Sequence, residues 1–271
     1  MYTGPNIVTD GLVLHLDAAN AKSYPGTGTT WSDLSGNGNG GTLINGPTFD
    51  SGNNGSIVFD GVNDYASSNN SLGNGWNEIT VSTWVKPSQL LKENNRRYYL
   101  INADDNSSSG EESVFNMFFS HVENPTYYSN NFNGQYIVFG IRSINQENRE
   151  RPITTVDNTL ANEYIVGSAF GQDNLNIVVH KWVNCTGTYN GNETKIYING
   201  ILKGTSNNQP DGVNRSVSGA LNTSSRERMI SHNSNNTDFS GKISNIKIYN
   251  RALTDQEILQ NYNATKSRFN L

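Results

Sequence analysis

The stretch that most constrains the fold lies near the end of the chain: FSGKISNIKIYNRALTDQEILQNYNA, Phe239–Ala264. In Ile243–Tyr249 the apolar Ile246 and Ile248 alternate with the polar Asn245 and Lys247, the period of a half-buried strand. Asn250-Arg251 breaks that period. Thr254 is placed to cap a helix, and Glu257, three residues on, closes a capping box by returning its carboxylate to the Thr254 N–H. Leu253 and Ile258 hold the staple positions on either side of the cap, and Ile258 and Tyr262, four apart, share a helix face. A strand running into one short capped helix is a structural joint, since capping boxes fix helix starts and supply no chemistry.

The rest of the chain supplies partners for that strand. Its 271 residues are within reach of one large all-β domain. Only 16% of them are charged, and 26 are glycine, a balance that suits short strands joined by tight turns. Aromatics at 10% are ample for a core. Leu12, Leu14 and Leu16 alternate along a first strand. Ile79–Val85 puts Ile79, Val81, Thr83 and Val85 on one face and Thr80, Ser82 and Trp84 on the other, and Pro87 ends it. Ile137–Ile141, Ile177–Thr188 and Met229-Ile230 read as further strands. Asn199-Gly200, between Lys195–Asn199 and Ile201–Lys203, is a type I′ hairpin turn. Ala18–Gly55 is irregular and rich in turn residues, with Trp31, Leu34, Leu43, Ile44 and Phe49 available to pin it to a core. The segments 89–135 and 143–158 read as long loop insertions. The tail Lys266–Leu271 carries two basic and two large apolar residues, and reads as a docking peptide or a frayed end. No internal repeat or linker divides the chain. Many short strands at regular turn spacing predict a β-sandwich of one domain, residues 1–271.

At this point the chain resembles a known group, the laminin-G-like branch of the concanavalin A-like lectin/glucanase superfamily. The segments that carry the resemblance are GLVLHLDAAN (Gly11–Asn20), DLSGNGNGGTL (Asp33–Leu43), IVFDGVNDY (Ile57–Tyr65), ITVSTWVKP (Ile79–Pro87), IYING (Ile196–Gly200) and FSGKISNIKIYNRALTDQEI (Phe239–Ile258), in the family's order. The resemblance implies an all-β jelly-roll sandwich of two antiparallel sheets, one of them concave, with one short C-terminal helix and with the first and last strands paired. The wording LDAAN–KSYPG–GTTW–DLSGNGN, with its RALT-type ending and short basic tail, is similar to versions found in tailed-phage virion proteins.

Several function classes fit poorly. A net charge of −5 without a basic run argues against nucleic acid. The start, MYTGPNIVTDG, has neither the cationic nor the apolar region of a signal peptide, and no run is long enough to span a bilayer. Cys185 is the only cysteine, so no intrachain disulfide can form. Glucan hydrolysis needs two carboxylates at strand spacing on one face. Glu111-Glu112 are adjacent and point to opposite faces, Glu147 and Glu150 lie in a polar loop, and Asp255 and Glu257 belong to the helix cap. His15, His121, His180 and His232 are scattered, without an H-E-x-x-H pattern. The expectation is a non-enzyme.

Two binding chemistries remain. Relatives often hold Ca²⁺, which takes six to eight oxygens. Asp60, Asn63 and Asp64 sit in one turn where oxygens can converge, with Asp17 or Asp33 as further donors; against this, Asn245 stands where the family often has an acidic residue. Glycan sites combine aromatic faces with planar amides. Tyr98, Tyr127, Tyr128 and Tyr136 are the candidates, interleaved with Asn130, Asn131, Asn133 and Gln135. The reading is a phage virion surface protein that decorates capsid, neck or tail, contacts other virion proteins and host glycans, and is open to homo-oligomer formation. The alternative is a carbohydrate-binding adhesion module at the bacterial cell surface or outside the cell; a glycoside hydrolase or lyase ranks third.

Overall fold

A computed structural model describes residues 5–68, 70, 72–88, 97–103, 114–122, 134–141, 163–165, 180–205, 219–221, 228–230 and 238–271. Within these, sixteen strands form two antiparallel sheets. The first runs, in spatial order, β14 (Ile201–Thr205), β13 (Thr194–Ile198), β12 (Val183–Tyr189), β7 (Ile79–Pro87), β16 (Ser240–Tyr249), β5 (Ser56–Asp60) and β4 (Thr48–Asp50), with β1 (Leu12–Asp17) also on β16. The second runs β11 (Glu163–Ile165), β10 (Gly134–Ile141), β9 (Phe115–Val122), β8 (Arg97–Asn102), β15 (Arg228–Ile230), β6 (Tyr65–Ser68), β3 (Gly41–Ile44) and β2 (Thr30–Trp31).

Strand β16 organises the first sheet. Along one side it pairs with β7. Along the other, β1 takes Asn245–Tyr249 and β5 takes Ser240–Ile243, end to end. The expected pairing of first and last strands is therefore present. Period-two alternation then builds the core. Leu14, Leu16, Ile79, Val81, Val85, Cys185, Ile243, Ile246 and Ile248 of the first sheet share one buried cluster with Phe115, Met117, Phe119, Ile137, Phe139 and Ile141 of the second. Burying each large apolar side chain contributes roughly 1.5–3 kcal/mol. The sheets approach closely at Gly187, where an added Cβ would stand 2.2 Å from the Phe139 ring.

The irregular stretch after β1 contains β2, β3 and β4, each too short to show a period in the sequence. Trp31 and Leu43 are buried and Phe49 packs against the core, so this stretch is pinned as expected. Asp33 organises its Gly/Asn-rich turn: one carboxylate oxygen accepts from the His15 and Ser35 N–H groups, the other from the Asn39 N–H and the Ser35 hydroxyl. The segment 89–135, expected to be a loop insertion, carries β8 and β9, two interior strands of the second sheet. The segment 143–158 lies outside the described residues. At the hairpin, Asn199 and Gly200 both have positive φ, 52° and 77°, as a type I′ turn requires.

Helix α1 (Asp255–Asn263) starts at the predicted capping box: Glu257 N–H donates to Thr254 Oγ1 at 3.3 Å, and Thr254 N–H to Glu257 Oε2 at 2.9 Å. Leu253 and Ile258 form a small second core with Tyr197 and Tyr249. The chain start is tied in here, with Val8 N–H donating to Asn261 Oδ1 and Tyr249 Oη–H to the Val8 carbonyl. The tail is docked rather than frayed. It forms a 3₁₀ turn, Lys266–Phe269, and buries Phe269 on the first sheet.

Candidate functional site

Each sheet has a face turned away from the core, and on the first sheet that face is polar. On the first sheet the strand register lines up two rows. One is Asp17, Asn245, Trp84 and Asn184; the next is His15, Lys247, Ser82 and Thr186. Their neighbours in sequence, Leu14, Leu16, Ile246, Ile248, Val85 and Cys185, are core residues, so alternation sends the rows to the opposite face. Asn245 and Lys247, the polar face of a strand expected to be half-buried, are fully enclosed, with Arg268 of the tail on Asp17 and Ser244 beside them.

The polar groups of this face largely satisfy one another. Arg268 of the tail clamps Asp17 with two N–H bonds of 2.9 Å each and also donates to Ser244 Oγ. Lys247 Nζ donates to Asn245 Oδ1 at 3.1 Å. Ser82 and Thr186 share a hydroxyl bond of 2.8 Å, and Asn184 Nδ2 donates to the Thr83 carbonyl. Among the described residues, Asn245 Nδ2 and Arg268 Nε remain buried without an acceptor. Burial lowers the Lys247 amine to about 8, with Arg268 acting in the same direction and Asp17 against it. Burial and the Lys247 charge lower the His15 imidazole to about 4. Burial pushes the Asp17 carboxyl up, but the Arg268 clamp outweighs it and holds the group below its ordinary range. Aromatic rings close the face: Phe269 stacks on Trp84 at 4.1 Å and meets Trp182 at 4.7 Å, and Tyr262 stacks on Trp84 at 5.6 Å.

The second sheet presents a different row. Asn102 of β8 pairs with Asn116 of β9, and Met229 of β15 pairs with Asn102. Asn116 alternates with the core residues Phe115 and Met117, which places its amide on the face away from the core. Both amides are buried, and among the described residues Asn116 Oδ1 accepts no hydrogen bond. Tyr99, two strand positions before Ile101, is buried outside the main core cluster, across from Phe118 in the ladder.

Of the tyrosines singled out in the sequence, Tyr98 is half-buried and packs against the core. Tyr136 lies in β10, paired with Ser120 of β9. Tyr127 and Tyr128 lie outside the described residues. The amide row of Asn102 and Asn116 went unnoticed in the sequence. Its signal was present: Asn116 interrupts an apolar run at a position whose neighbours alternate inward, and Asn102 ends a short strand.

The turn proposed for Ca²⁺ brings Asp60, Asn63 and Asp64 together, but its oxygens serve the turn. Asp60 Oδ1 accepts from the Val62 and Asn63 N–H groups, Asp64 Oδ2 from the Asp60 N–H, and the Asn63 carbonyl from Asn45 Nδ2. Burial and the like charges of Asp60 and Asp238 push the Asp64 carboxyl up, while the Asp60 N–H draws it down. Asp17 and Asp33 are committed to Arg268 and to the Gly/Asn-rich turn. Among the described residues, no cluster of three or more His, Cys, Asp or Glu side chains is arranged to hold a metal. The helix-cap carboxylates are also committed, Asp255 to the Tyr197 hydroxyl and Glu257 to Arg251.

Comparison with known proteins agrees with this architecture. A laminin-G-like family model described as "Concanavalin A-like lectin/glucanases superfamily" matches residues 59–259. No curated protein matches the sequence. Among solved structures, the binding domain of Paraclostridial Mosquitocidal Protein 1 is similar, with a TM-score of 0.60 and 17% identity over 94% of this chain and 52% of that one. Domain 4 of an extracellular arabinanase from Geobacillus stearothermophilus, in complex with arabinotriose, gives 0.56 and 20% over 93% of this chain and 98% of that one. The ligand binding domain of botulinum neurotoxin serotype D, in complex with N-acetylneuraminic acid, gives 0.57 and 16% over 94% and 51%. The chain thus spans about half the length of the two toxin binding domains. At these identities the likeness establishes a shared fold. The alternating core, the pairing of first and last strands and the family match over most of the chain agree: this chain belongs to the concanavalin A-like lectin/glucanases superfamily.

Proposed function

We propose that the chain is a non-catalytic glycan-binding module that uses the outer face of the second sheet. The observation that carries this reading is the Asn102–Asn116 row. Two planar amides lie side by side on the face away from the core, and among the described residues Asn116 Oδ1 is buried without a donor. A buried acceptor without a partner is costly, and a sugar hydroxyl supplies the missing donor. Tyr99 adds an aromatic body to the same region, the pairing of apolar surface with a few fixed polar groups found in small-molecule sites. Two similar structures are sugar complexes, one with arabinotriose and one with N-acetylneuraminic acid, and these two sugars are natural first probes.

The reading extends to place and partners. The module sits on the surface of a tailed-phage virion, among other virion proteins and facing host glycans; the support is the wording of its LDAAN, DLSGNGN and RALT segments. Binding is metal-independent in this reading, which is supported by Asp60 Oδ1 and Asp64 Oδ2 each accepting within their own turn.

The test is a glycan array that includes both sugars, run with and without EDTA, on wild type and Asn116→Ala. The expected result is binding that survives EDTA and falls at least tenfold in the variant while its circular dichroism is unchanged. Binding by neither protein, or equal binding by both, overturns the site. Loss in EDTA restores Ca²⁺ at the Asp60–Asp64 turn. Release of reducing ends from a glucan panel would restore the hydrolase reading. Purified virions should contain the protein as a stoichiometric band; its absence, with the gene among cell-wall or secretion genes, moves the module to the bacterial surface.

A further inference from the structure

The aromatic stack on the first sheet has, at its centre, a ring supplied by the end of the chain. Phe269 lies between Trp84 of β7 and Trp182, which directly precedes β12, at 4.1 and 4.7 Å. Both indoles belong to the sheet side of this contact; the phenyl ring belongs to the tail. Trp84 Nε1 donates to Thr265 Oγ1 and Trp182 Nε1 to Asn53 Oδ1, so each indole is held by a hydrogen bond of its own. Phe269 thus stacks on the Trp84 face and meets Trp182 at a 44° tilt, so it occupies a ring-sized space lined by two indoles.

The floor beside that space is polar. Asn184 and Asn245 flank Trp84 in the register, and Ser82, Thr186 and Lys247 form the adjoining row. The tail closes this floor imperfectly. Asn245 is fully buried, yet among the described residues its Nδ2 has no acceptor, and the Nε of Arg268 above it has none either. A lid that belonged only to the core would be expected to satisfy the donors it buries.

We propose that this face is a second, latent carbohydrate site, closed by the chain's own tail, with Phe269 placed where a sugar ring would stack. A pyranose or furanose ring presents a C–H face to an indole and hydroxyl oxygens at its edge. The space offers the first contact, and Asn245 Nδ2 and the enclosed Lys247 amine offer donors for the second. A sugar that displaces Phe269 therefore pairs a donor that the closed state leaves unpaired. The polar ties of the tail to the sheet and its loops are the Arg268 clamp on Asp17, the Arg268 bond to Ser244 Oγ, the bond from Asn53 Nδ2 to the Arg268 carbonyl, and Thr265 on Trp84. The proposal rests on the glycan-binding reading of the chain but concerns the other sheet and other residues.

The experiment uses the full-length chain and the same array, which includes arabinotriose, with Phe269→Ala and Arg268→Gln in the Asn116→Ala background. That background weakens the second-sheet site, and loss of the gain on adding Trp182→Ala assigns it to the first sheet. The expected result is at least a tenfold gain in affinity for some glycan in both variants, with quenching of tryptophan fluorescence on binding. The gain is lost again on adding Trp182→Ala. Folded variants that show no gain overturn the proposal. If both variants unfold, the tail is an indispensable part of the fold and the proposal fails as well. Because the wild-type array tests the second sheet alone, either reading can fall while the other stands.

Discussion

The two outer faces of this sandwich have similar ingredients and different fates. Each carries amides and aromatics at positions that alternate with core residues. On the first sheet they are sealed beneath helix α1 and the tail, and a charged cluster of His15, Asp17, Lys247 and Arg268 is enclosed with them. On the second sheet the amide row of Asn102 and Asn116 contains no charge. The difference lies in the route of the last seventeen residues and not in the strands. A polar strand face is a binding surface or a second core according to what the chain folds over it.

The comparison is broken most severely at Trp84. If the first-sheet face behaves as core, Trp84→Ala removes two ring stacks and the bond to Thr265, and should cost about 3–5 kcal/mol in chemical denaturation. Asn116→Ala, on the other face, should change stability by less than about 1 kcal/mol, because among the described residues its amide oxygen has no hydrogen bond to lose. Equal costs would erase the distinction between the faces.

Acid should break the same comparison from the first-sheet side. The His15 imidazole titrates at about 4 in the folded chain, against 6.5 when free. As pH falls, the unfolded chain takes up this proton first. The stability it contributes is therefore full above about 6.5 and is lost as pH falls through 4, a change of about 3 kcal/mol. The groups facing the ring explain the direction: burial, Lys247 and Arg268 oppose a third cation, and Asp17 and Asp33 favour it without prevailing. Thermal melts of His15→Gln and wild type between pH 7 and 4 check this. The variant should lose much of the wild type's dependence, and parallel curves would remove His15 as the cause.

The sequence made the inner faces of these strands legible and left the outer ones obscure. Ile79–Val85 and Ile243–Tyr249 announce their core faces by strict alternation, and Thr254 with Glu257 announces the helix start. The polar halves of the same strands were read as facing solvent, because burial of Asn245 and Lys247 depends on residues about twenty positions later. Tail docking rests on two contacts far apart in sequence, Arg268 with Asp17 and Phe269 with Trp84, and neither leaves a local pattern. The strands β2 to β4 escaped for another reason: two to four residues cannot display a period. The second-sheet amides were hidden by the same period that revealed the core, since Asn116 occupies the outward position of an otherwise apolar run.

The smallest effect is also the most local. Thr254→Ala removes the hydroxyl that accepts from the Glu257 N–H and leaves Glu257 to its Arg251 clamp. Losing an N-cap of this kind costs about 1 kcal/mol. That loss falls on the helix that leads into the tail, so it should loosen the cover without touching either sheet. Hydrogen exchange resolves the point. In the variant, the Arg268 and Asn270 amides, which donate within the tail turn to the Thr265 and Ser267 carbonyls, should exchange severalfold faster, while β9 and β10 amides keep wild-type protection. If protection falls uniformly across both sheets, the cover and the sandwich unfold as one unit, and the first-sheet face is core in the full sense. If the tail alone loosens, helix α1 and the tail form a separable layer over the first sheet, and its outer face is a covered surface rather than core.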